Sequence, residues 1–425
     1  PDIAPPPDLM VNTMFSRTVL PVSDNPQLLY IMLDMMAMPD KSEKLKEKRP
    51  MVNICLVLDT STSMAGERLD RVKAAAIEIM RQLRTEDILS VVTFNDRAEV
   101  IMPATRGLNY NTLESRISML KTGGGTEIYQ GLKAGFDEVT NFLDPAFINH
   151  IILITDGRTY GDEQECLDLA KKAAAKGITI SGMGIGNEWN DHFIDKIVKS
   201  TGGNSIYAAK SDDITRYLTK KFSRLSMSYA NHVSLAFSSM ADVELRYAFR
   251  LSPEPGPIDT ESPLQIGAVP LEPSLSVILE FLIPPLKKEM ETITIAEGKL
   301  KLEIPTNAIP TTTSNFSFCL PVRTNPEITP PPQALVKAMS RLSLYRLQEQ
   351  ARTELAEGDI EKGSVRLQNL ATQLLISGQA GLAHTVMLEL KAIEGGNSLS
   401  GEGEKQIKYG TRALFLPAST EDDPL

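Results

Sequence analysis

The sequence predicts a doubly wound α/β domain with a mainly parallel sheet, combined with an antiparallel β-sandwich and a C-terminal helical region. Three observations carry this prediction. From residue 52 to about residue 229, short apolar runs alternate with amphipathic helical stretches, which is typical of a parallel sheet covered by helices on both faces. Apolar runs separated by Pro and Gly clusters follow, as in an antiparallel sandwich. Leucines at helical spacing come last.

The length and composition agree with several globular domains. The chain has 425 residues, of which 42% are hydrophobic and 23% charged, so we expect more than one core and no wholesale disorder. The formal charge is −10 and the basic residues are scattered. Phosphate binding needs clustered Lys and Arg, so a nucleic-acid partner is disfavoured. No apolar run reaches the ~20 residues that cross a bilayer, so we expect no membrane insertion.

The cysteines and the N-terminus favour a reducing compartment. Cys55, Cys166 and Cys319 lie far apart and include no C-x-x-C pair, so they suggest neither a zinc ribbon nor a disulfide framework. The first residues lack the charged and apolar regions of a signal peptide. We therefore expect a cytoplasmic protein, although the chain begins without Met and could have lost a segment.

The N-terminal region, residues 1–49, is expected to supply strands that join the sandwich, including Leu28–Leu33. The charged run Lys41–Arg49 is interpreted as a solvated linker. The α/β domain is expected over residues 50–229. Its predicted strands are Val52–Leu58, Ile88–Phe94, His150–Thr155 and Ile178–Ile185, and its predicted helices are Arg68–Leu83, Ile128–Phe142, Glu163–Lys176, Asp191–Ser200 and a last one from Asp212 to about Ser228.

The sandwich is expected over residues 230–330 and the helical domain over residues 331–416, with an acidic tail at 417–425. In the helical domain, Leu335, Met339 and Leu342 share one helix face, and glycines separate the helices. This pattern predicts a three-helix hairpin array or small bundle. The predicted sandwich strands are Val233–Phe237, Val243–Leu251, Ser276–Ile283, Ile293–Ile304 and Asn315–Val322.

A metal-binding pattern follows the first α/β strand. Asp59, Ser61 and Ser63 alternate along a short segment before the first helix, at the sheet edge where open α/β folds bind ligands. One carboxylate and two hydroxyls at this spacing can face a common point, and hard oxygen donors suit Mg²⁺ or Mn²⁺. The alternative is an ordinary helix N-cap, since Asp, Ser and Thr are favoured there.

Two further segments extend the pattern. Gly123, Gly124 and Gly125 precede Thr126 and Glu127 in a loop that can bring the Thr126 hydroxyl to a neighbouring strand end. A second carboxylate, Asp156, follows the strand that ends at residue 155. Taken alone, the first segment could be a glycine loop with a capping Thr, and the second could be an Asp-Gly turn. Their conjunction is far more specific than either part.

In this order the segments resemble the von Willebrand factor A family and its metal-ion-dependent adhesion site. The chain is also similar to bacterial stand-alone members with a helical C-terminal region, and to proteins in which this domain is inserted into a β-sandwich. The resemblance implies that one divalent cation, Mg²⁺ with Mn²⁺ or Ca²⁺ as alternatives, is held directly or through water. The implied ligands are Asp59, Ser61, Ser63, Thr126 and Asp156.

The resemblance further implies that a Glu or Asp of a protein partner completes the coordination shell. One residue departs from the bacterial pattern: Thr62 stands where Gly is frequent, and a β-branched residue tolerates unusual backbone angles poorly. Four residues near the expected site are candidate partner contacts, with packing or an ordinary surface role as the alternative. These are Glu127, Arg158, Tyr160 and Trp189.

The predicted function is a non-enzymatic protein-binding module or scaffold. An accessory or chaperone-like subunit of an AAA+ ATPase or of a signalling assembly is an alternative. A metal-assisted hydrolase is less favoured, because no evident general base accompanies the predicted metal ligands. Gly182, Gly184 and Gly186 do not have the G-x-G-x-x-G spacing of a dinucleotide site. The sequence leaves the partner's identity and the oligomeric state open.

Overall fold

The protein divides into two compact units, Pro1–Pro330 and Pro331–Leu425. Among the helices of the described residues, none is both long and apolar enough to cross a membrane. The charged connection at 41–48 and the expected acidic tail at 417–425 lie outside the residues that the structure describes. The structure is a computed structural model that describes residues 2–3, 6–38, 49–107, 110–159, 161–239, 242–287, 290–327 and 329–416.

The first unit contains three β-sheets and six α-helices in its described residues. The strands are β1 Asp2–Ile3, β2 Leu9–Phe15, β3 Leu20–Pro21, β4 Gln27–Ala37, β5 Met51–Asp59, β6 Ile88–Phe94, β7 Ala98–Arg106, β8 Phe147–Thr155, β9 Thr179–Ile185, β10 Ser205–Ala208, β11 Ser228–Ser238, β12 Glu244–Ser252, β13 Gly256–Pro257, β14 Leu264–Pro270, β15 Leu275–Ile283, β16 Thr292–Glu303 and β17 Thr311–Arg323. The helices are α1 Glu67–Gln82, α2 Tyr110–Ser118, α3 Ile128–Thr140, α4 Glu163–Ala175, α5 Asp191–Ser200 and α6 Ser211–Ser226.

One sheet has six strands in the order β10-β9-β8-β5-β6-β7. Its neighbouring strands are parallel, except that β7 is antiparallel to β6. Strands β6, β8 and β9 are buried along their whole length, as expected for strands that helices cover on both faces. The predicted doubly wound α/β class is confirmed.

Alternate side chains of β5 pack against different helices. Ile54 and Leu56 share a core with α1 and α6, whereas Val57 faces α3. A Cβ atom on Gly135 of α3 would lie only 2.6 Å from a methyl group of Val57, so this glycine permits close packing of α3 on the sheet. Because the Thr126 loop leads into α3, this close packing holds the loop near the strand ends.

The other two sheets form the β-sandwich. One has the order β1-β17-β16-β11-β14, with β3 beside β17, and the other has the order β13-β12-β15-β4-β2. The strand pairs are antiparallel except for β3 with β17. Side chains from both sheets, such as Leu279 and Phe318, share one core. Since β4 precedes the α/β domain and β11 follows it, the α/β domain is inserted into the sandwich.

The second unit contains four helices in its described residues, α7 Gln333–Ala356, α8 Ile360–Ile376, α9 Ala380–Glu394 and α10 Gly401–Ala413. Leu344, Leu370 and Val386 form its core together with Ile407 of α10. Four helices agree with the predicted small bundle and not with its alternative, a three-helix hairpin array. Helix α10 lacks a continuous apolar stripe and contains three glycines, so its sequence gives a weak helical signal.

Candidate metal site

The carboxyl ends of β5 and β8 bring Asp59 and Asp156 to the same edge of the parallel sheet. The two strands are direct neighbours, with Leu58 paired to Ile154, so Asp59, the last residue of β5, lies near Asp156, the first residue after β8. Asp59 is 0% and Asp156 is 1% exposed. Two buried carboxylates close together repel each other unless positive charge lies between or beside them.

The segment after β5 turns its hydroxyls toward these carboxylates. The backbone N–H of Ser61 donates to Asp59 Oδ1 over 2.8 Å, and Ser63 Oγ donates to Asp156 Oδ1 over 2.6 Å. The hydroxyl oxygens of Ser61 and Ser63 are 3.2 Å apart. Residues Thr62–Met64 form a single 3₁₀ turn, and the fully buried Met64 anchors it. Four of the five predicted ligands are thus joined by hydrogen bonds.

Thr62 does not distort this turn. The described non-glycine residues with positive φ are His232 and Asp242, so Thr62 has ordinary backbone geometry. Its Oγ1 donates to the carbonyl oxygen of Gly124 over 3.1 Å. The departure from the bacterial pattern therefore adds a hydrogen bond between the serine segment and the glycine loop.

The glycine loop places Thr126 beside Asp156. The backbone N–H of Gly125 donates to Asp96 Oδ1 over 2.8 Å, which fixes the loop against the end of β6. A Cβ atom built on Gly157 would lie 2.9 Å from Thr126 Oγ1, so the hydroxyl lies against the residue next to Asp156. The structure thus brings the fifth predicted ligand to the same sheet edge.

Thr155 also contributes to the site, although the sequence analysis did not single it out. Its Oγ1 donates to Asp59 Oδ2 over 2.6 Å, so both oxygens of Asp59 accept hydrogen bonds. Burial raises the pKa of Asp59, the bonds from Ser61 and Thr155 oppose that rise, and the Asp156 carboxylate adds to it. The position of Thr155, directly before Asp156, was the available sequence signal.

Comparison with known proteins identifies the domain that carries this site. Residues 53–221 match the family model of the von Willebrand factor type A domain, and residues 333–417 match that of the Sll0103-like, C-terminal alpha-helical domain. The chain contains a von Willebrand factor type A domain. Domains of this family are typically protein-interaction modules, and the proteins of the family are mostly non-enzymatic.

Several known proteins align with most of this chain. The uncharacterized protein sll0103 of Synechocystis sp. is 25% identical over 389 residues, which cover 89% of this chain and 91% of that protein. A von Willebrand factor type A structure from Catenulispora acidiphila aligns with a TM-score of 0.70 at 15% identity, over 89% of each chain. The ArnB paralog VWA2 from Sulfolobus acidocaldarius aligns with a TM-score of 0.60 at 14% identity, over 96% of this chain and 98% of that one. These structures share the fold.

Other relatives match less than half of this chain. Calcium-activated chloride channel regulator 1 of Bos taurus is 33% identical over 186 residues, which are 43% of this chain but only 20% of that protein. The shared part is therefore a small fraction of that protein.

Arg68, in the first turn of α1, is a charged group at the type A site that the sequence analysis missed. Its Nη1 lies 2.5 Å from Asp156 Oδ2 and 3.4 Å from the carbonyl oxygen of Ser63. The Arg68 side chain is 37% exposed, whereas that of Asp156 is fully buried. The guanidinium supplies positive charge to the two carboxylates and remains accessible from solvent.

The candidate partner contacts differ in accessibility. Arg158 is exposed, and its Nε donates to the carbonyl oxygen of Glu188 over 2.9 Å. Glu127 is half-buried at the start of α3, where its backbone N–H donates to the carbonyl oxygen of Asn95 over 2.8 Å. Tyr160 lies outside the described residues. Of the candidates that the structure describes, Arg158 is therefore the most accessible.

Trp189 requires a correction, because a contact with a partner was one of its two predicted roles. The side chain is 0% exposed and fills the space that Gly184 leaves by having no side chain. A Cβ atom on Gly184 would lie 1.8 Å from the Trp189 ring. A partner cannot reach this indole at the surface, so Trp189 has the packing role.

The donor chemistry at this edge fits a hard divalent cation. Two carboxylates balance a charge of +2, and the hydroxyls supply further neutral oxygens of the kind that Mg²⁺ accepts. Across the described ranges, no group of three or more His, Cys, Asp or Glu side chains forms a metal cluster. At this edge the hydroxyl oxygens are therefore the side-chain donors available beside the two carboxylates.

Proposed function

We propose that this chain is a non-enzymatic protein-binding scaffold with a metal-ion-dependent adhesion site. The observation that carries the proposal is the joint placement of buried Asp59 and Asp156 with the hydroxyls of Ser61 and Ser63. These four residues and Thr126 would hold one divalent cation, directly or through water. When bound, the cation would offer a coordination position to a Glu or Asp of a partner protein.

The donor set favours Mg²⁺, with Mn²⁺ and Ca²⁺ as alternatives. All five proposed ligands supply oxygen, and soft metals prefer sulfur or imidazole ligands. The three cysteines, Cys55, Cys166 and Cys319, are unpaired, and Cys319 is exposed. Free thiols are kept in reducing compartments, which supports a cytoplasmic location as part of this proposal.

The proposal is tested by capturing partners from the native organism in Mg²⁺ and in EDTA. We expect wild-type protein to retain a partner in Mg²⁺ only, and Asp59→Asn to retain none under either condition. Replacing each acidic residue of the captured partner in turn by the amide of the same size, Glu by Gln or Asp by Asn, should then identify the ligating carboxylate. Equal capture in Mg²⁺ and EDTA would overturn the proposal.

Arg68→Ala is expected to raise the affinity for free Mg²⁺ or Mn²⁺ by about fivefold. The Arg68 guanidinium repels a metal cation and occupies Asp156 Oδ2. Because the Arg68 side chain is partly exposed, this interaction amounts to about 1 kcal/mol. Isothermal titration of the metal alone measures the change. Arg68→Lys is the matched control and should change the affinity less because it keeps the charge. An unchanged or lower affinity in Arg68→Ala would show that Arg68 does not oppose cation binding.

A further inference from the structure

A groove begins beside the proposed metal site and follows β6 and β7. Its volume is about 550 Å³, which is in the size range of ligand-binding clefts. Thr60, between two of the proposed ligands, is one of the residues that line the groove, and its carbonyl oxygen accepts a hydrogen bond of 2.8 Å from the backbone N–H of Gly123. The groove is therefore continuous with the metal site and its glycine loop.

The groove carries excess positive charge. Its lining includes Arg97, Arg116 and Lys121 against one carboxylate, Glu99. All three cationic residues are exposed, and none forms an ion pair with a carboxylate of the described residues. Nearby Asp96 is held by the Gly125 backbone. Clustered charge of one sign attracts segments of the opposite sign.

The same groove exposes large apolar side chains. Met119 is 76% and Val100 is 41% exposed, and Ile101 and Leu120 beside them are half-buried. Arg116 Nη1 donates to the carbonyl oxygen of Ile101 over 2.9 Å, so this cation is fixed next to the apolar surface. Apolar side chains bordered by charged groups are typical of protein-binding surfaces.

We propose that this groove binds the residues of a partner segment that flank its metal-ligating carboxylate, and that these residues are acidic with one large apolar side chain among them. The inference rests on the proposed function and specifies the partner's chemistry. Ala98 to Ile101 covers three steps of β7, about 10 Å. An extended partner covers that length with about three residues, so its acidic and large apolar residues in the groove are expected within about three positions of one another.

The test selects short peptides from a displayed random library with one fixed Asp, using wild-type protein in Mg²⁺ and discarding peptides that bind in EDTA. We expect the selected peptides to carry a second acidic residue near the fixed one. A selected peptide should bind Arg97→Glu/Lys121→Glu about tenfold more weakly than wild type, since two favourable charge contacts become repulsive. Fluorescence anisotropy measures the affinities.

The matched control is Lys172→Glu/Lys196→Glu, which changes the net charge equally. Lys172 and Lys196 are exposed on α4 and α5, away from β6 and β7, and this variant should bind within about twofold of wild type. Equal loss in both double variants, or selected peptides without a second acid, would overturn the groove inference. Peptides that bind Asp59→Asn as well as wild type, or no Mg²⁺-dependent peptide at all, would overturn the proposed function as well.

Discussion

Replacing Asp59 by Asn is expected to abolish the stabilisation of the protein by Mg²⁺. A ligand that binds only the folded state stabilises it by about 2.7 kcal/mol at a concentration of 100 times its Kd, and the variant should gain none of this. In EDTA the variant should be at least as stable as wild type, because the neutral amide removes a buried charge next to Asp156. Denaturant unfolding in Mg²⁺ and in EDTA measures both effects.

Asp87→Asn is the matched control for this experiment. Asp87 is also buried in the α/β domain, but it precedes β6 and accepts hydrogen bonds from the backbone N–H groups of Val52 and Arg84. Its replacement should lower the free energy of unfolding by about 2 kcal/mol with or without Mg²⁺. The additional stability that Mg²⁺ gives should be the same as in wild type. An Mg²⁺ increment that persists in Asp59→Asn would contradict the proposed site.

Replacing Glu254 by Ala is expected to destabilise the first unit by about 3–5 kcal/mol. Glu254 Oε2 lies 2.7 Å from Nζ of Lys221, and this buried pair joins helix α6 of the α/β domain to the loop after β12 of the sandwich. The Ala variant leaves a buried ammonium without its carboxylate. Urea unfolding of wild type and variant at neutral pH measures the loss.

The charges around Glu254 also set its pH dependence. Burial by itself raises the pKa of Glu254, but Lys221 and Arg250 outweigh burial and hold the pKa below its usual value. Its stabilising contribution is therefore present at neutral pH and is lost as the pH falls through the folded-state pKa. Burial lowers the pKa of Lys221, and Glu254 opposes that shift.

The control for Glu254→Ala is Glu244→Ala on β12, the strand that precedes the Glu254 loop. Glu244 pairs with Arg246 over 3.6 Å, and both side chains are about half exposed or more, so its removal should change stability by less than about 1 kcal/mol. The double variant Glu254→Gln/Lys221→Met should recover most of the loss, because no buried charge is then left unpaired. Equal effects of Glu254→Ala and Glu244→Ala would contradict the structural role of the pair.

Most of the α/β fold was predictable because its strands are buried on both faces. Such strands give continuous apolar runs, and Ile88–Phe94 was predicted with the bounds that the structure has. Strand β7 was not predicted, because it is an edge strand in which only Met102 is buried and because it contains Pro103. Helix α2 was missed with it, so the groove that these two elements help to form was not predictable from the sequence.

The site itself was predictable only in part. Asp59, Ser61 and Ser63 stand close in sequence, and the parallel sheet places Asp156 beside them, so pattern and topology sufficed for the proposed ligands. The contact of Arg68 with Asp156 depends on the direction of a long side chain across 88 positions of sequence. The burial of Trp189 depends on the missing side chain of Gly184, which no local periodicity reveals.

The central claim is that Asp59 and Asp156 hold a divalent cation together with the three hydroxyl residues. Anomalous diffraction from crystals of the full chain grown with Mn²⁺ tests it most directly. The claim predicts one peak within about 2.5 Å of oxygens of Ser61 and Ser63 and at the Asp59 and Asp156 carboxylates, directly or through water, and no such peak in Asp59→Asn. A Mn²⁺ peak elsewhere on the chain with none at this sheet edge, or an unchanged peak in the variant, would contradict it.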